Sequence, residues 1–215
     1  MRTLPAMPHE DPRTDAARAL RDLNHAFVAH DPDDVSLRAI GDAARAITAQ
    51  VTAAPRRDRL ALMRASAGSD SFPVSDASSG FADRAVAGAA NPTSIDIDDV
   101  TLADEVVAHV VLRRAFEGAP GRAHGGIVAA AFDDITGFVI GHLREPAFTG
   151  ELTVRYLAPV PVDEPIEIRA RLESRERRKL FITAEARHEG TVIATCRAIY
   201  ITVDRNRFAG FPDPR

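Results

Sequence analysis

The chain has 215 residues, of which 45% are hydrophobic and 27% charged, and this composition is typical of a globular protein. The net charge of -4 argues against sequence-independent nucleic-acid binding, and no apolar run reaches the roughly 18 residues of a membrane span. The N-terminus has no apolar signal segment and Cys196 is the only cysteine, so the sequence predicts a cytoplasmic protein without disulfides. Abundant alanine, with arginine in place of nearly all lysine, is typical of a bacterial genome of high G+C content.

Residues 1–66 are predicted to form a helical extension. Asp11-Pro12 resembles an N-cap followed by a first-turn proline, and Asp31-Pro32 should separate this helix from a second one. Apolar residues recur at helical spacing in both helices: Leu20, Leu23, Phe27, Ile40, Ala44, Ile47 and Val51. A shorter third helix is predicted around Leu60 and Met63. The narrow apolar faces are expected to pack on the main domain or on a partner chain.

Residues 67–90 are rich in Ser, Gly and Asp and are predicted to be a linker, with the boundary near Asn91-Pro92. The main domain should span residues 91–205, and a tail 206–215 follows. Apolar residues alternate with polar ones in four segments, which predicts strands there: Val106–Leu112, Leu152–Tyr156, Ile166–Leu172 and Leu180–Ala184. Glu189-Gly190 should be a hairpin turn that leads into a last strand from Val192 to Val203.

A long apolar helix is predicted from about Gly125 to Leu143, between the first strand and the others. The expected architecture is α+β: one strand, one central helix, then a four-strand antiparallel meander that wraps the helix.

The helix begins at a turn of unusual composition, His124-Gly125-Gly126. The first N–H groups of a helix lack partners and lie at its positive end, so they suit a carbonyl oxygen or an oxyanion. His124 could cap the helix or contact the ligand. Asp133 lies past the first turn among small residues, which could leave a cavity for a base, whereas Asp134 is interpreted as a solvated residue.

These residues together resemble the hotdog-fold acyl-CoA thioesterases of the PaaI-like branch, which includes the thioesterase superfamily members. The shared pattern is HGGIVAAAFD followed by the strand end Tyr156-Leu157-Ala158-Pro159, with Thr149 earlier in that strand. The resemblance covers about residues 90–205 and leaves out the N-terminal helices. It implies a hotdog fold and hydrolysis of a thioester to a free acid and coenzyme A, which is part of the substrate, so that no separate cofactor is expected.

By that resemblance Asp133 is the general base or nucleophile and the Gly125 N–H is the oxyanion donor. Thr149 positions water, while His124 and Gly126 are accessory contacts to the substrate.

Helix geometry adds an independent inference about assembly. Gly125 and Asp133 are eight residues apart, which is roughly 12 Å along a helix, too far for both to serve one carbonyl group. Gly125 of one chain should therefore act with Asp133 of another, across a two-fold axis. The active unit is expected to be a homodimer or a pair of dimers.

The basic run from Arg175 to Lys179 is predicted to be a hairpin turn. A solvated turn is the default interpretation. The functional alternative is that Arg178 and Lys179 bind the phosphates of coenzyme A through charge-assisted hydrogen bonds.

Two other functions compete with hydrolysis. A hotdog hydratase would use an Asp-x4-His pair, and Asp104 and His109 have that spacing, but on one predicted strand they would point to opposite faces. A non-catalytic acyl-CoA sensor or assembly module is the other alternative. No His/Cys spacing matches a zinc site, and Cys196 is expected to be a buried small residue rather than a nucleophile.

Overall fold

The computed structural model describes residues 2–3, 11–58 and 82–204. The helices are α1 (Pro12–Ala29), α2 (Asp34–Thr52) and α3 (Gly125–His142). The strands are β1 (Arg2–Thr3), β2 (Asp96–Leu102), β3 (Val106–Val111), β4 (Glu117–Ala119), β5 (Arg122–Ala123), β6 (Ala147–Tyr156), β7 (Pro165–Glu176), β8 (Lys179–His188) and β9 (Thr191–Thr202). The predicted third helix, around Leu60 and Met63, lies outside the described residues.

Seven strands form one antiparallel sheet in the order β1-β2-β3-β7-β8-β9-β6, while β4 and β5 pair as a separate small hairpin. The predicted four-strand meander is therefore wrong in one respect, since only β7, β8 and β9 follow one another. β6 lies at the far edge and pairs with β9, and β3 pairs with β7. The alternation of residues locates strands, but it carries no information on which strands are neighbours.

The sheet packs its apolar face on the central helix, as predicted. Side chains at alternate positions of β3, β7 and β8 are buried, among them Ala108, Ile168 and Ile182. Phe132 and Ile135 of α3 are fully buried against them. The Glu189-Gly190 turn is also confirmed, because both residues have a positive φ, 48° and 78°, as a two-residue hairpin of this kind requires.

Helix α1 contacts the sheet region through a different face from the one expected. Its N-cap is Asp11, as predicted, but its buried residues are Thr14, Ala17, Arg21 and His25. Arg21 donates to the Ser94 hydroxyl at 2.6 Å and forms an ion pair with Asp96 at 3.0 Å, so its charge is compensated on burial. The predicted packing of the apolar stripes on the main domain is not seen among the described residues, because Leu20, Leu23 and Phe27 of α1 are exposed and α2 buries no side chain. The alternative, packing on a partner chain, stays a prediction.

Candidate functional site

Two hydrogen bonds fix the first turn of α3, and neither involves the Gly125 N–H. His124 is the N-cap, as predicted, and its Nδ1 accepts a hydrogen bond from the Gly126 N–H at 3.0 Å. The Tyr156 hydroxyl donates to the Gly125 carbonyl at 2.6 Å. The Gly125 N–H has no acceptor among the described residues. A Cβ at Gly125 would lie 3.2 Å from the Tyr156 oxygen, so glycine permits this close contact.

Asp133 lies half-buried two turns further along the helix. The Thr149 hydroxyl donates to its Oδ1 at 2.8 Å. Oδ2 accepts no hydrogen bond from the part of the chain that the structure describes. One carboxylate oxygen is thus oriented and the other is available, which is the arrangement that a base or a nucleophile needs.

A β-bulge at Gly150 explains why Thr149 points at the helix. Leu152 and Val154 face the core, so simple alternation along β6 would turn Thr149 outward. The register with β9 shifts between Thr149 and Glu151, and one extra residue reverses which face each side chain takes. The bulge therefore brings the hydroxyl of Thr149 to Asp133.

Tyr200 is a residue of this cluster that the sequence did not reveal. It lies opposite Thr149 on β9 and is almost fully buried. Its hydroxyl donates to the Asp133 carbonyl at 2.9 Å, lies 3.5 Å from Asp133 Oδ1, and also meets the Thr136 hydroxyl at 2.9 Å. Burial raises the pKa of Tyr200, which keeps the phenol protonated and able to donate.

The two halves of the predicted motif remain apart within one chain. Gly125 and Asp133 lie on the same uninterrupted helix, eight residues apart, and therefore roughly 12 Å apart along its axis. One cluster holds Gly125 with Tyr156, and the other holds Asp133 with Thr149 and Tyr200.

Asp134 is not the solvated residue that its position suggested. It is half-buried and accepts the Ala87 N–H at 2.6 Å. Burial raises its pKa, while the nearby Arg84 guanidinium lowers it in part. Arg84 in turn lies 4.7 Å from the centre of the Phe138 ring, and burial lowers its pKa. Residues 82–95 pack on α3 here, and no local sequence pattern predicts this contact.

The basic hairpin lies at the Asp133 end of the sheet. Leu180 pairs with Tyr200, which pairs with Thr149, so the turn before Leu180 is two strands away from Thr149. Arg178 donates to the Thr202 carbonyl at 3.0 Å, and Lys179 is exposed. Lys179 extends from the sheet face opposite to the buried Leu180.

Two of the remaining candidates, Asp104 and His109, lie away from this cluster, whereas Cys196 lies near Asp133. Asp104 lies in the turn between β2 and β3, so its predicted position on a strand is wrong. His109 points outward and bonds to Asp99 at 2.7 Å. Cys196 is buried, as expected, and burial with the nearby Asp133 charge raises its pKa to about 12.

Residues 2–3, 11–58 and 82–204 contain no group of three or more His, Cys, Asp or Glu side chains that could hold a metal ion. In the same ranges, every helix is too short or too polar to cross a membrane.

Comparisons with known proteins show similarity to thioesterases. Residues 120–195 match the thioesterase superfamily. The chain is 35% identical over 80 residues to acyl-coenzyme A thioesterase THEM4 of Xenopus laevis, which is 37% of this chain and 36% of that protein. It is 34% identical over 90 residues to acyl-coenzyme A thioesterase THEM5 of Homo sapiens, which is 40% of this chain and 35% of that protein. The match thus spans little more than a third of these relatives.

The fold has a close counterpart among solved structures. The crystal structure of a thioesterase superfamily protein superimposes with a TM-score of 0.75 at 20% identity, over 93% of this chain and 95% of that one. The likeness confirms the predicted hotdog fold and extends to the N-terminal helices.

Proposed function

We propose that the chain hydrolyses an acyl-CoA thioester to a free acid and coenzyme A, because residues 120–195 match the thioesterase superfamily. The observation that carries the proposal is the Thr149–Asp133 hydrogen bond of 2.8 Å, which leaves Asp133 Oδ2 available. The names of the THEM4 and THEM5 relatives support the substrate class.

In the hydrolytic step Asp133 Oδ2 accepts a proton from a water molecule while the water oxygen adds to the thioester carbonyl carbon. The C–S bond then breaks and the proton passes to the leaving sulfur, which gives the free acid and the thiol of coenzyme A. Thr149 holds the carboxylate and orients the water. If Asp133 acts instead as nucleophile, its oxygen adds to the carbonyl carbon, the C–S bond breaks and coenzyme A leaves as the thiolate. Water then cleaves the resulting anhydride into the free acid and the carboxyl group of Asp133, whose proton passes to the thiolate.

The Gly125 N–H stabilises the oxyanion that develops on the carbonyl. Because about 12 Å separates it from Asp133 of its own chain, Gly125 works with Asp133 of the partner subunit in a homodimer that has two equal sites. His124 and Gly126 line the substrate beside it. Arg178 and Lys179, at the Asp133 end of the sheet, bind the phosphates of coenzyme A.

The first experiment measures thiol release from short, long and aromatic acyl-CoAs with the wild type and with Asp133→Asn. Wild-type turnover should fall by about a thousandfold or more in the variant, because the base and nucleophile is lost. Binding of acyl-CoA without turnover by the wild type would instead indicate a sensor. Loss of enoyl absorbance without thiol release would indicate a hydratase.

The oxyanion donor can be tested with a matched pair of variants at Gly125. Gly125 is the first residue of α3, where proline is tolerated, and Gly125→Pro removes its N–H. Gly125→Ala keeps the N–H and adds a similar Cβ beside Tyr156. The proline variant should lose about a hundredfold or more in kcat relative to the alanine variant. Equal kcat values would show that this N–H does not serve the reaction.

Mixing two inactive variants tests the shared site. In a heterodimer of Asp133→Asn and Gly125→Pro chains, one site carries both substitutions and the other carries neither. Co-refolded chains should recover about one quarter of the wild-type activity if pairing is random. A mixture that stays inactive although it forms heterodimers would contradict a site built from two subunits.

A further inference from the structure

Helix α1 packs on the short segment that leads into the His124 turn. This segment begins with a single turn of 3-10 helix, Arg114–Phe116, and continues through the hairpin of β4 and β5. It ends at His124, where α3 begins. A residue of α1 that holds the 3-10 turn is therefore linked, through a few residues, to the first N–H groups of α3.

His25 forms the buried part of this contact. Its side chain is almost fully buried, and its Nδ1 accepts a hydrogen bond from the Ala115 N–H at 3.0 Å. The imidazole also meets the Phe116 ring edge to face, with 5.0 Å between the ring centres. Burial, and then the positive charge of Arg113, lower the pKa of His25, so the ring is neutral at neutral pH and Nδ1 remains an acceptor.

Packing alone does not explain a histidine at this position. Because Nδ1 accepts the Ala115 N–H, the proton of the neutral ring lies on Nε2. Nε2 has no hydrogen-bond partner among the described residues, and a buried donor without a partner lowers stability. Phenylalanine would avoid that cost, but it would leave the Ala115 N–H without an acceptor. The acceptor at Nδ1 is thus what His25 supplies and an apolar residue does not.

The 3-10 turn depends on contacts with other elements. It has three residues, none of them fully buried, and no side chain caps it, so its own stability is low. Arg114 pairs with Glu117 and Asp163, but its side chain is 41% exposed, and ion pairs of this kind contribute little. The bond from Ala115 to His25 is formed, by contrast, with a buried side chain.

The contact continues along the main chain from Phe116 to the start of α3. The Phe116 carbonyl accepts the His124 N–H at 2.8 Å. A Cβ at Gly118 would lie 2.9 Å from the His124 Cα, so the backbone of this segment touches the backbone of His124 directly. A displacement of Phe116 therefore displaces His124, the residue immediately before Gly125.

We propose that His25 is a positioning residue for the reaction. Through Ala115 and Phe116 it fixes His124, and it thereby directs the Gly125 N–H at the carbonyl oxygen of the substrate. This inference rests on the proposed function, in which that N–H stabilises the oxyanion. It gives α1 a part in the reaction without contact to the substrate, because a small displacement of a donor weakens its effect on the transition state.

Two substitutions at His25 separate the acceptor from the ring. His25→Phe keeps an aromatic ring beside Phe116 and removes the acceptor, whereas His25→Asn keeps an acceptor near the position of Nδ1 and removes the ring. The kcat of thiol release should fall about tenfold or more in His25→Phe and stay within about threefold in His25→Asn, with KM little changed in both. Leu23→Phe is the matched control on the exposed side of α1 and should keep wild-type kcat.

Amide hydrogen exchange reports on the turn independently of activity. The Ala115 and His124 N–H groups should exchange at least about tenfold faster in His25→Phe than in the wild type, while the amides of β8 exchange at the same rate in both. In His25→Asn all of these rates should remain near those of the wild type. If circular dichroism shows that His25→Phe does not fold, His25→Ser takes its place, since its small side chain admits water to the Ala115 N–H.

Three results would overturn the proposal. One is the same kcat in His25→Phe and His25→Asn, and another is unchanged exchange of the His124 N–H in His25→Phe. The third is an undiminished effect of His25→Phe in the Gly125→Pro background, where the donor is already absent. A wild type without hydrolytic activity would contradict the proposed function instead, and the exchange rates would then test the link from His25 to His124 by themselves.

Discussion

Replacing Thr149 with valine removes one hydroxyl and keeps the shape of the side chain. The hydroxyl donates to Asp133 Oδ1 at 2.8 Å, and a hydrogen bond to a charged group contributes about 1.5–3 kcal/mol. Thr149 is exposed, so the lower end of that range applies. A loss of about 1.5 kcal/mol in the transition state lowers kcat/KM roughly tenfold. Valine is also β-branched and suits a strand, so β6 should be preserved.

The assay is thiol release with kcat and KM measured separately, and the decrease should fall mainly on kcat. Thr149→Ser keeps the hydroxyl and should retain most of the activity. Thr153→Val is the matched control, because Thr153 lies on the same strand and its hydroxyl bonds to Glu151 instead. In the Asp133→Asn background the Thr149 substitution should have little further effect. Wild-type activity in Thr149→Val would refute the reasoning, and so would additive losses in the double variant.

Three more predictions concern stability and reactivity. Burial raises the pKa of Asp134, so its contribution to the free energy of unfolding is present below the ordinary value of 3.8 and is lost as pH rises through the raised value. Urea titrations from pH 3 to 7 should therefore show wild type losing stability relative to Asp134→Asn over that window, and parallel curves would contradict this. Gly88→Ala should destabilise the chain by about 2 kcal/mol or more, since its Cβ would lie 2.3 Å from the Arg84 nitrogen; thermal melts check it. Cys196 should resist thiol reagents at pH 8 until the chain is denatured, and Cys196→Ala should keep thioesterase activity, because burial holds the pKa of this thiol at about 12.

The central helix and the core strands could be predicted because their signals are local. His124 could be recognised as a cap, and alternation identified the buried positions of β3, β7 and β8. The sequence does not predict β2 because Asp96, Asp98 and Asp99 interrupt its alternation, as a half-buried strand near the sheet edge allows.

The rest of the candidate site depends on tertiary register. Tyr200 has the same pattern as any alternating residue of β9, and only its pairing with Thr149 places it at Asp133. Asp134 seemed solvated because the segment that covers it, around Ala87, is distant in sequence. On α1 the polar residues Arg21 and His25 are buried against partners outside the helix, whereas Leu23 is left exposed: Arg21 donates to Ser94 and His25 accepts from the Ala115 N–H. The spacing of apolar residues along a helix gives no information on partners that lie elsewhere in the chain.

At the bulge at Gly150, the alternation of inward and outward side chains along β6 shifts by one residue. Upstream of the bulge Thr149 points to the helix, and downstream Leu152 and Val154 do so, although both halves pair with one neighbour, β9. Deletion of a single codon here would leave strand pairing possible on both sides but turn the hydroxyl of Thr149 away from Asp133. A lineage can therefore lose or regain this contact by a one-residue insertion or deletion, without any substitution on α3.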